Sequence, residues 1–388
     1  MRTTTRRAAA TLAAIALLAA ACGGGGLDSE IPTADDAQDT DDTDTSDDTD
    51  DTDDTDDGDD AAGDTIAGDL VGAGATFVNP VFVDWILDGY QATVNPDANI
   101  NYQSIGSGGG IEQFLLEQVD FGASERYLRD DTLEEARESR GCDAIQFPIV
   151  FGSVTIAFHD EFYDGLILDG TTIGDIFERR ITNYSDPAIQ ALNPDRELRD
   201  EDIIPVHRSD GSGTTSVFTT YLDLDDEVEG WTLGNGTEVQ WPSGTIGGQG
   251  NEGVAAAVQQ NPGGLGYLNQ AYVLEQGFPQ AQVINADGNP VFATLEATTV
   301  GAEVAEIPDD FQFDILNIGG DGFPITGTAW VFVWECGYDD TTAALLKDFW
   351  SWAVTEGGPQ AEALGYAPLG PSLQERVLDA IDRINSAE

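Results

Sequence analysis

The sequence predicts an α/β protein of two hinged lobes carried behind an acidic N-terminal tether. Strand-like and helical runs alternate from residue 70 to the C-terminus, the pattern of sheets covered by helices on both faces. Three Gly-Ser-Thr segments, Gly72–Phe77 (GAGATF), Gly106–Gly110 (GSGGG) and Ser209–Thr215 (SDGSGTT), each run straight into an amphipathic helix pattern. Residues 70–388 are about twice the usual domain size. Two segments, Gln146–Val150 (QFPIV) and Gly322–Thr326 (GFPIT), stand where the chain would leave one lobe and return to it. Two such connections make a hinge, with a ligand cleft between the lobes.

The N-terminus reads as an export signal. Arg2, Arg6 and Arg7 precede an apolar run, Ala8–Ala21, too short to span a bilayer and right for the core of a signal peptide. Ala19, Ala20 and Ala21 stand directly before Cys22, which suits cleavage and acylation of that cysteine by the lipoprotein pathway. The pathway's signal usually has leucine where Ala19 stands, and here Leu18 lies one further back. An ordinary secretory signal is the alternative. Residues 1–21 are thus assigned to the signal and 22–69 to a tether, with the protein expected on the outer face of the cell membrane. From Asp28 to Asp69 the chain holds 20 acids and hardly an apolar residue. It buries too little to offset ordering entropy, and its like charges extend it. At ~3.3 Å per residue the tether reaches about 150 Å. Ca²⁺ binding by the Asp repeat is the rival reading. The EF-hand spacing is missing, since Thr55 takes a ligand place and no Glu stands at the twelfth.

The net charge of −57 is not all tether. Residues 70–388 hold 52 acids against 12 basic residues, and Lys347 is the one lysine. An acidic, lysine-poor surface is the kind tolerated in high salt. Nucleic acid and anionic lipid surfaces are disfavoured as partners, and an anion ligand needs a strongly organised local site. Beyond Cys22, Cys142 and Cys336 remain. In an exported chain such a pair reads as one disulfide, the alternative being two buried thiols. No Cys/His cluster points to a metal, and no cofactor motif is present.

Strand-like runs are Ile100–Ile105, Ile145–Phe158, Ile203–His207 and Trp330–Trp334; helical ones are Thr132–Arg140, Thr172–Glu178, Asn251–Gln260, Thr341–Thr355 and Ser372–Ser386. Behind the three glycine-rich segments, apolar side chains recur at helical spacing: Val78, Val81, Phe82, Trp85 and Ile86; Ile111, Phe114, Leu115 and Val119; Val217, Phe218, Tyr221 and Leu222. Glycines let the backbone turn its N–H groups inward, hydroxyls add donors, and each helix N-terminus adds partial positive charge. Three such termini converging make a site for a small tetrahedral oxyanion.

Six motifs in order then resemble one family. They are GAGATF at 72–77, Tyr102–Ile111 (YQSIGSGGGI), Val119–Glu125 (VDFGASE), Arg208–Ser216 (RSDGSGTTS), Gly247–Gly253 (GGQGNEG) and Asn261–Tyr267 (NPGGLGY). Together they resemble the PstS family, the phosphate-binding proteins of bacterial phosphate-specific ABC importers, over nearly all of residues 70–388. The resemblance implies a two-lobed, hinged periplasmic-binding-protein fold of type II (Venus-flytrap). Lobe I is expected over 70–150 plus 323–388 and lobe II over 151–322. It also implies capture of inorganic phosphate for a membrane permease pair with a cytoplasmic ATPase, and no enzyme activity. Carried over, the phosphate contacts fall on Thr76 and Phe77, Ser107, Arg208, and Ser212, Gly213 and Thr214. Asp210 is expected to orient the Arg208 guanidinium without touching the ligand. The family's discriminating acid, which accepts a hydrogen bond from the protonated oxygen of phosphate, falls on Glu125, where the family normally has Asp. The extra methylene leaves two outcomes open, persistent phosphate selectivity or a shifted oxyanion preference such as arsenate.

Each piece has a plainer reading. A Gly-Ser-Thr run before a helix is commonly a cap, Phe77 can be a hydrophobic staple, and Arg208 with Asp210 can be a surface pair worth under ~1 kcal/mol. His159 and His207 have no nucleophile or metal partner in the pattern and read as structural. A hydrolase with Ser212 as nucleophile lacks the GxSxG elbow, because Asp210 stands where the first glycine belongs. A P-loop is excluded, because Leu346 and not Gly precedes Lys347. An adhesin-like surface protein of the same fold is the remaining rival.

Overall fold

The computed structural model describes residues 65–224 and 228–387. The signal, Cys22 and the tether's Asp repeat, with its rival Ca²⁺ reading, lie outside the described residues. The first strand, β1 (Gly68–Gly74), takes in the last two residues of the expected tether, Gly68 and Asp69. It pairs in parallel with β2 (Ala98–Ser104) and β3 (Phe121–Ser124). The others are β4 (Ala144–Phe158), β5 (Ile167–Leu168), β6 (Ile204–Arg208), β7 (Ile246–Gly248), β8 (Gly264–Asn269), β9 (Gln282–Ile284), β10 (Pro290–Phe292), β11 (Ile315–Leu316), β12 (Ile325–Trp334) and β13 (Ala367–Pro368). The main sheet runs β2-β1-β3-β12-β4-β8-β6-β7, with β11 added to β12 and β13 to β4; β10, β9 and β5 form a small separate sheet.

β4 explains how this sheet makes a site. It is fifteen residues long and almost wholly buried, a continuous apolar run of the kind that needs cover on both faces. Ala144 to Ser153 pair antiparallel with β12, and Val154 to Phe158 pair antiparallel with β8. β3 runs against β12 and so along β4, whereas β8, β6 and β7 run against β4. The carboxyl ends of β1, β2 and β3 therefore face those of β6, β7 and β8 across the middle of β4. In open α/β sheets ligands sit at the carboxyl ends of strands. Here two such ends meet.

The expected crossings fall on the long ladder of β4 and β12 or just ahead of it. Gln146–Val150 lies inside the β4–β12 ladder, and the change of partner comes later, between Ser153 and Val154. Pro148, which has no N–H to give the ladder, sits beside a register shift at Ala329/Trp330, a place where a bulge tolerates it. β12 begins at Ile325, well before the expected Trp330, and β11 has already joined it. The expected lobe limits at 150/151 and 322/323 thus fall within or ahead of this shared ladder. The described residues form one compact unit.

Helices pack the apolar faces that the spacing marks. The helix Asp340–Thr355 sets Trp350 against Phe82, Phe121 and Phe147. Beyond β4, Phe177, Phe218 and Tyr267 form a second aromatic nest. The helix behind GAGATF forms over Asn79–Val83, widens to a π-turn over Asp84–Tyr90 and resumes over Gln91–Thr93. The Gln91 N–H reaches the Ile86 carbonyl five residues back, and the wider turn seats Trp85, whose indole N–H donates to the Gly357 carbonyl (2.7 Å). The last helix stops at Asp382, four residues short of the expected Ser386. Cys142 and Cys336, just beyond the other end of the β4–β12 ladder, are joined by a disulfide. Among the described residues no helix is long and apolar enough to cross a membrane.

Candidate anion site

Every strand end at the meeting line delivers a polar group. β1 runs into Thr76 and Phe77, β2 into Ser107, and β3 into Glu125; β6 ends on Arg208 and runs into Asp210 and Ser212–Thr214. Thr76, Phe77, Ser107, Glu125, Arg208, Ser212 and Thr214 are all buried. Thr76 and Ser107 do not act as helix caps. The helix after Thr76 is entered through Val78 and that starting at Ser107 through Gly106, neither with a side-chain cap. Ser212 does cap, its Oγ accepting from the Thr215 N–H (3.0 Å). Its hydroxyl proton remains a donor.

Glu125 stands at the centre of these contacts. Its Oε2 accepts from Ser107 Oγ (2.5 Å) and its Oε1 from Thr214 Oγ1 (2.7 Å). One carboxylate thus bridges the two strand sets. Gly213 makes the fit possible, because a Cβ there would overlap Glu125 Oε2 and Ser107 Oγ. Burial raises the Glu125 pKa, against the hydroxyl bonds and the Arg208 charge that lower it. Each carboxylate oxygen keeps a second acceptor position.

Arg208 supplies the positive charge at 3 % exposure. Its Nε donates to Asp210 Oδ1 (2.8 Å) and its Nη2 to Asp210 Oδ2 (2.5 Å), and Nη1 lies 3.4 Å from Thr214 Oγ1. A bidentate pair fixes the guanidinium plane. The surface-pair reading of Arg208 is excluded by this burial. Although burial works to lower it, the Arg208 pKa stands above its ordinary value, held there by Asp210 and Glu125. Asp210 also accepts from the Gly250 N–H (3.0 Å). Gly106, at φ +91°, has no room for a side chain beside Asp210. The two strand sets touch again where the Gly108 N–H meets the Gly211 carbonyl (2.9 Å).

Sequence reasoning missed the frame behind the donors. Tyr272 OH donates to the Thr76 carbonyl (2.6 Å) and Tyr366 OH to the Phe77 carbonyl (2.5 Å). Tyr366 also meets the Phe77 ring edge-on, so Phe77 is held from both its carbonyl and its ring. The Arg208 N–H donates to Tyr267 OH (3.0 Å). Asn251, in the GGQGNEG run, holds Thr76 and Thr214 together. The run itself was the available signal. His207 stacks on Trp241 and His159 meets the Val258 carbonyl through Nδ1; both fill structural places.

A cage of donors closed around a fixed guanidinium, built where opposed carboxyl ends meet, is the arrangement of a solute-binding protein. The PBP superfamily domain matches residues 59–356. Over 311 residues the chain is 39% identical to the phosphate-binding protein PstS of Xylella fastidiosa (strain Temecula1), covering 79% of this chain and 83% of that one. It is 34% identical over 334 residues to PstS of Methanocaldococcus jannaschii, covering 80% and 85%. The chain belongs to the PstS family of phosphate-binding proteins. The crystal structure of a phosphate-binding protein from Stenotrophomonas maltophilia shares the fold, with a TM-score of 0.61 at 22% identity over 81% of this chain and 94% of that one.

Proposed function

We propose that this chain captures inorganic phosphate outside the cytoplasm and delivers it to an ABC importer. The observation that carries the reading is the buried Arg208 guanidinium, locked by Asp210 and reached by the Thr214 hydroxyl, beside the buried Glu125 carboxylate that accepts from Ser107 and Thr214. The N–H groups of Ser107, Gly213 and Thr214 complete the donors, since first-turn N–H groups have no acceptor within their own helix, and that of Phe77 joins them from the loop just before the next helix. Fixed dipoles then replace water at the oxygens of a dehydrated anion. A protonated phosphate oxygen donates to Glu125, whereas sulfate carries no such proton and meets repulsion.

The ligand touches both strand sets, so occupancy favours the closed cleft. Residues 70–150 with 323–388, and residues 151–322, act as the two moving lobes on this reading. The closed rims meet a permease pair served by a cytoplasmic ATPase, and a lipid on Cys22 keeps the protein at the membrane. On this reading Ser212 serves as a helix cap and ligand donor, and the chain acts as a binding protein. Isothermal titration of the mature chain with phosphate, sulfate and arsenate, at low and at high salt, tests the reading. Tight phosphate binding without sulfate heat is expected. Sulfate binding as tight as phosphate would remove Glu125 as the discriminator, and absence of phosphate binding would overturn the function.

A further inference from the structure

Asn251 is the first residue after Gly250 in the helix Gly250–Gln260, and it is fully buried. Its amide orientation is fixed from outside, because the Asn269 backbone N–H donates to Oδ1 (3.0 Å). That leaves Nδ2 facing the cage, where it donates to Thr76 Oγ1 (2.8 Å) and lies 3.3 Å from Thr214 Oγ1. The Asn251 backbone N–H also donates to Thr76 Oγ1 (3.1 Å). The Thr76 oxygen therefore receives two hydrogen bonds. A hydroxyl has two acceptor positions and one proton, so both acceptor positions are filled and the proton is left to point away. Thr214 is arranged alike, with Asn251 and Arg208 on its oxygen and its proton given to Glu125.

We infer that Asn251 is a positioning residue that sets the direction of the cage's threonine hydroxyls, forcing Thr76 to act as a donor toward a bound oxyanion. An unconstrained hydroxyl must give up its rotor freedom to aim its proton at an anion, so fixing the rotor beforehand adds affinity, and it disfavours a ligand that would donate at that position. The inference rests on the phosphate reading of the site. Groups facing Asn251 through its neighbours are Glu125 beyond Thr214, Arg208, Asp210 on the Gly250 N–H, Glu252, Tyr272 on the Thr76 carbonyl and Tyr366 on Asn269.

The test uses Asn251→Asp, which keeps the shape and replaces the amide donor by an oxygen that donates only when protonated. Phosphate affinity is measured for the natural chain, Asn251→Asp, Asn251→Ala, Thr76→Val and the double variant Asn251→Ala with Thr76→Val from pH 5 to 9, each expressed relative to the natural chain at the same pH. The ionised carboxylate of Asn251→Asp accepts where the amide donated. The loss in that variant is therefore expected to be about tenfold at pH 9, closing toward none as pH falls and the buried carboxyl takes up its proton. Asn251→Ala should lose a similar factor, unchanged with pH. Adding Asn251→Ala to Thr76→Val should then cost little more than the single changes, because both remove one directed proton. Asn251→Asp matching the natural chain at every pH, or Asn251→Ala leaving affinity unchanged, would overturn the inference. Absence of phosphate binding by the natural chain would sink the functional reading instead.

Discussion

The two sides of the cage are built differently although their strands are laid out alike. The side of β1, β2 and β3 brings hydroxyls, backbone donors and the acid: Thr76, Phe77, Ser107 and Glu125. The side of β6, β7 and β8 brings the cation and nearly all that holds it, Arg208 with Asp210, the Gly250 N–H and Asn251. On the proposed reading one side discriminates while the other attracts. The lesson is that in so acidic a chain the single site guanidinium must be neutralised and immobilised by its own side before an anion arrives. Unpaired, it would be a buried charge costing several kcal/mol.

The largest expected effect is on stability and leaves this division untouched. The Cys142–Cys336 disulfide closes a separation of 194 residues at the end of the β4–β12 ladder away from the cage. Replacing both cysteines by serine should lower unfolding free energy by about 2–5 kcal/mol, read by denaturant unfolding, with phosphate affinity preserved at temperatures where the fold persists. Lost affinity in that folded variant would mean that the sides are not independent of the ladder.

Next comes the attracting side. Arg208→Ala should weaken phosphate binding by at least ~2 kcal/mol, since a charge-assisted donor is lost and Asp210 and Glu125 face the ligand uncompensated. Titration calorimetry reads this directly, and near-natural affinity would break the comparison. On the discriminating side, Glu125→Gln offers sulfate an amide donor in place of a repelling oxygen. The preference for phosphate over sulfate should fall by roughly 1–3 kcal/mol, in competition titrations. A change in affinity for both anions with an unchanged ratio would take discrimination away from Glu125.

The smallest effect sharpens the same point through pH. Burial raises the folded-state pKa of Glu125. A carboxyl with a raised folded pKa stabilises the fold below its unfolded pKa and loses that contribution as pH rises through the folded value. The natural chain should therefore lose stability relative to Glu125→Gln as pH climbs from the ordinary carboxylate range upward. A difference flat with pH would contradict the burial argument.

Much of this was legible beforehand, for physical reasons. Helices over 250–260 and 340–355 announce themselves by apolar spacing, and β4 by a long, mostly apolar run. β1 does not show in the sequence as a strand because its Gly-Ala-Gly end carries a single methyl and so no alternation, and it exists through pairing on both edges. The cage loops were readable because glycine, hydroxyl and helix start coincide at one place in the chain. Tyr272 and Tyr366 were not, and the GGQGNEG run marked Asn251 without its partner, since all three act across more than 170 residues of sequence on Thr76 and Phe77. No local pattern marks a tyrosine whose hydroxyl meets a distant carbonyl.

The central claim is that an anion sits where the two sets of strand ends meet. A crystal structure of the chain grown with phosphate tests it most directly. The account predicts one phosphate with an oxygen on Arg208, donors from Thr76, Phe77, Ser107 and Ser212–Thr214, and a short contact to Glu125. Phosphate bound elsewhere, or Arg208 and Asp210 pointing away from it, would contradict the account.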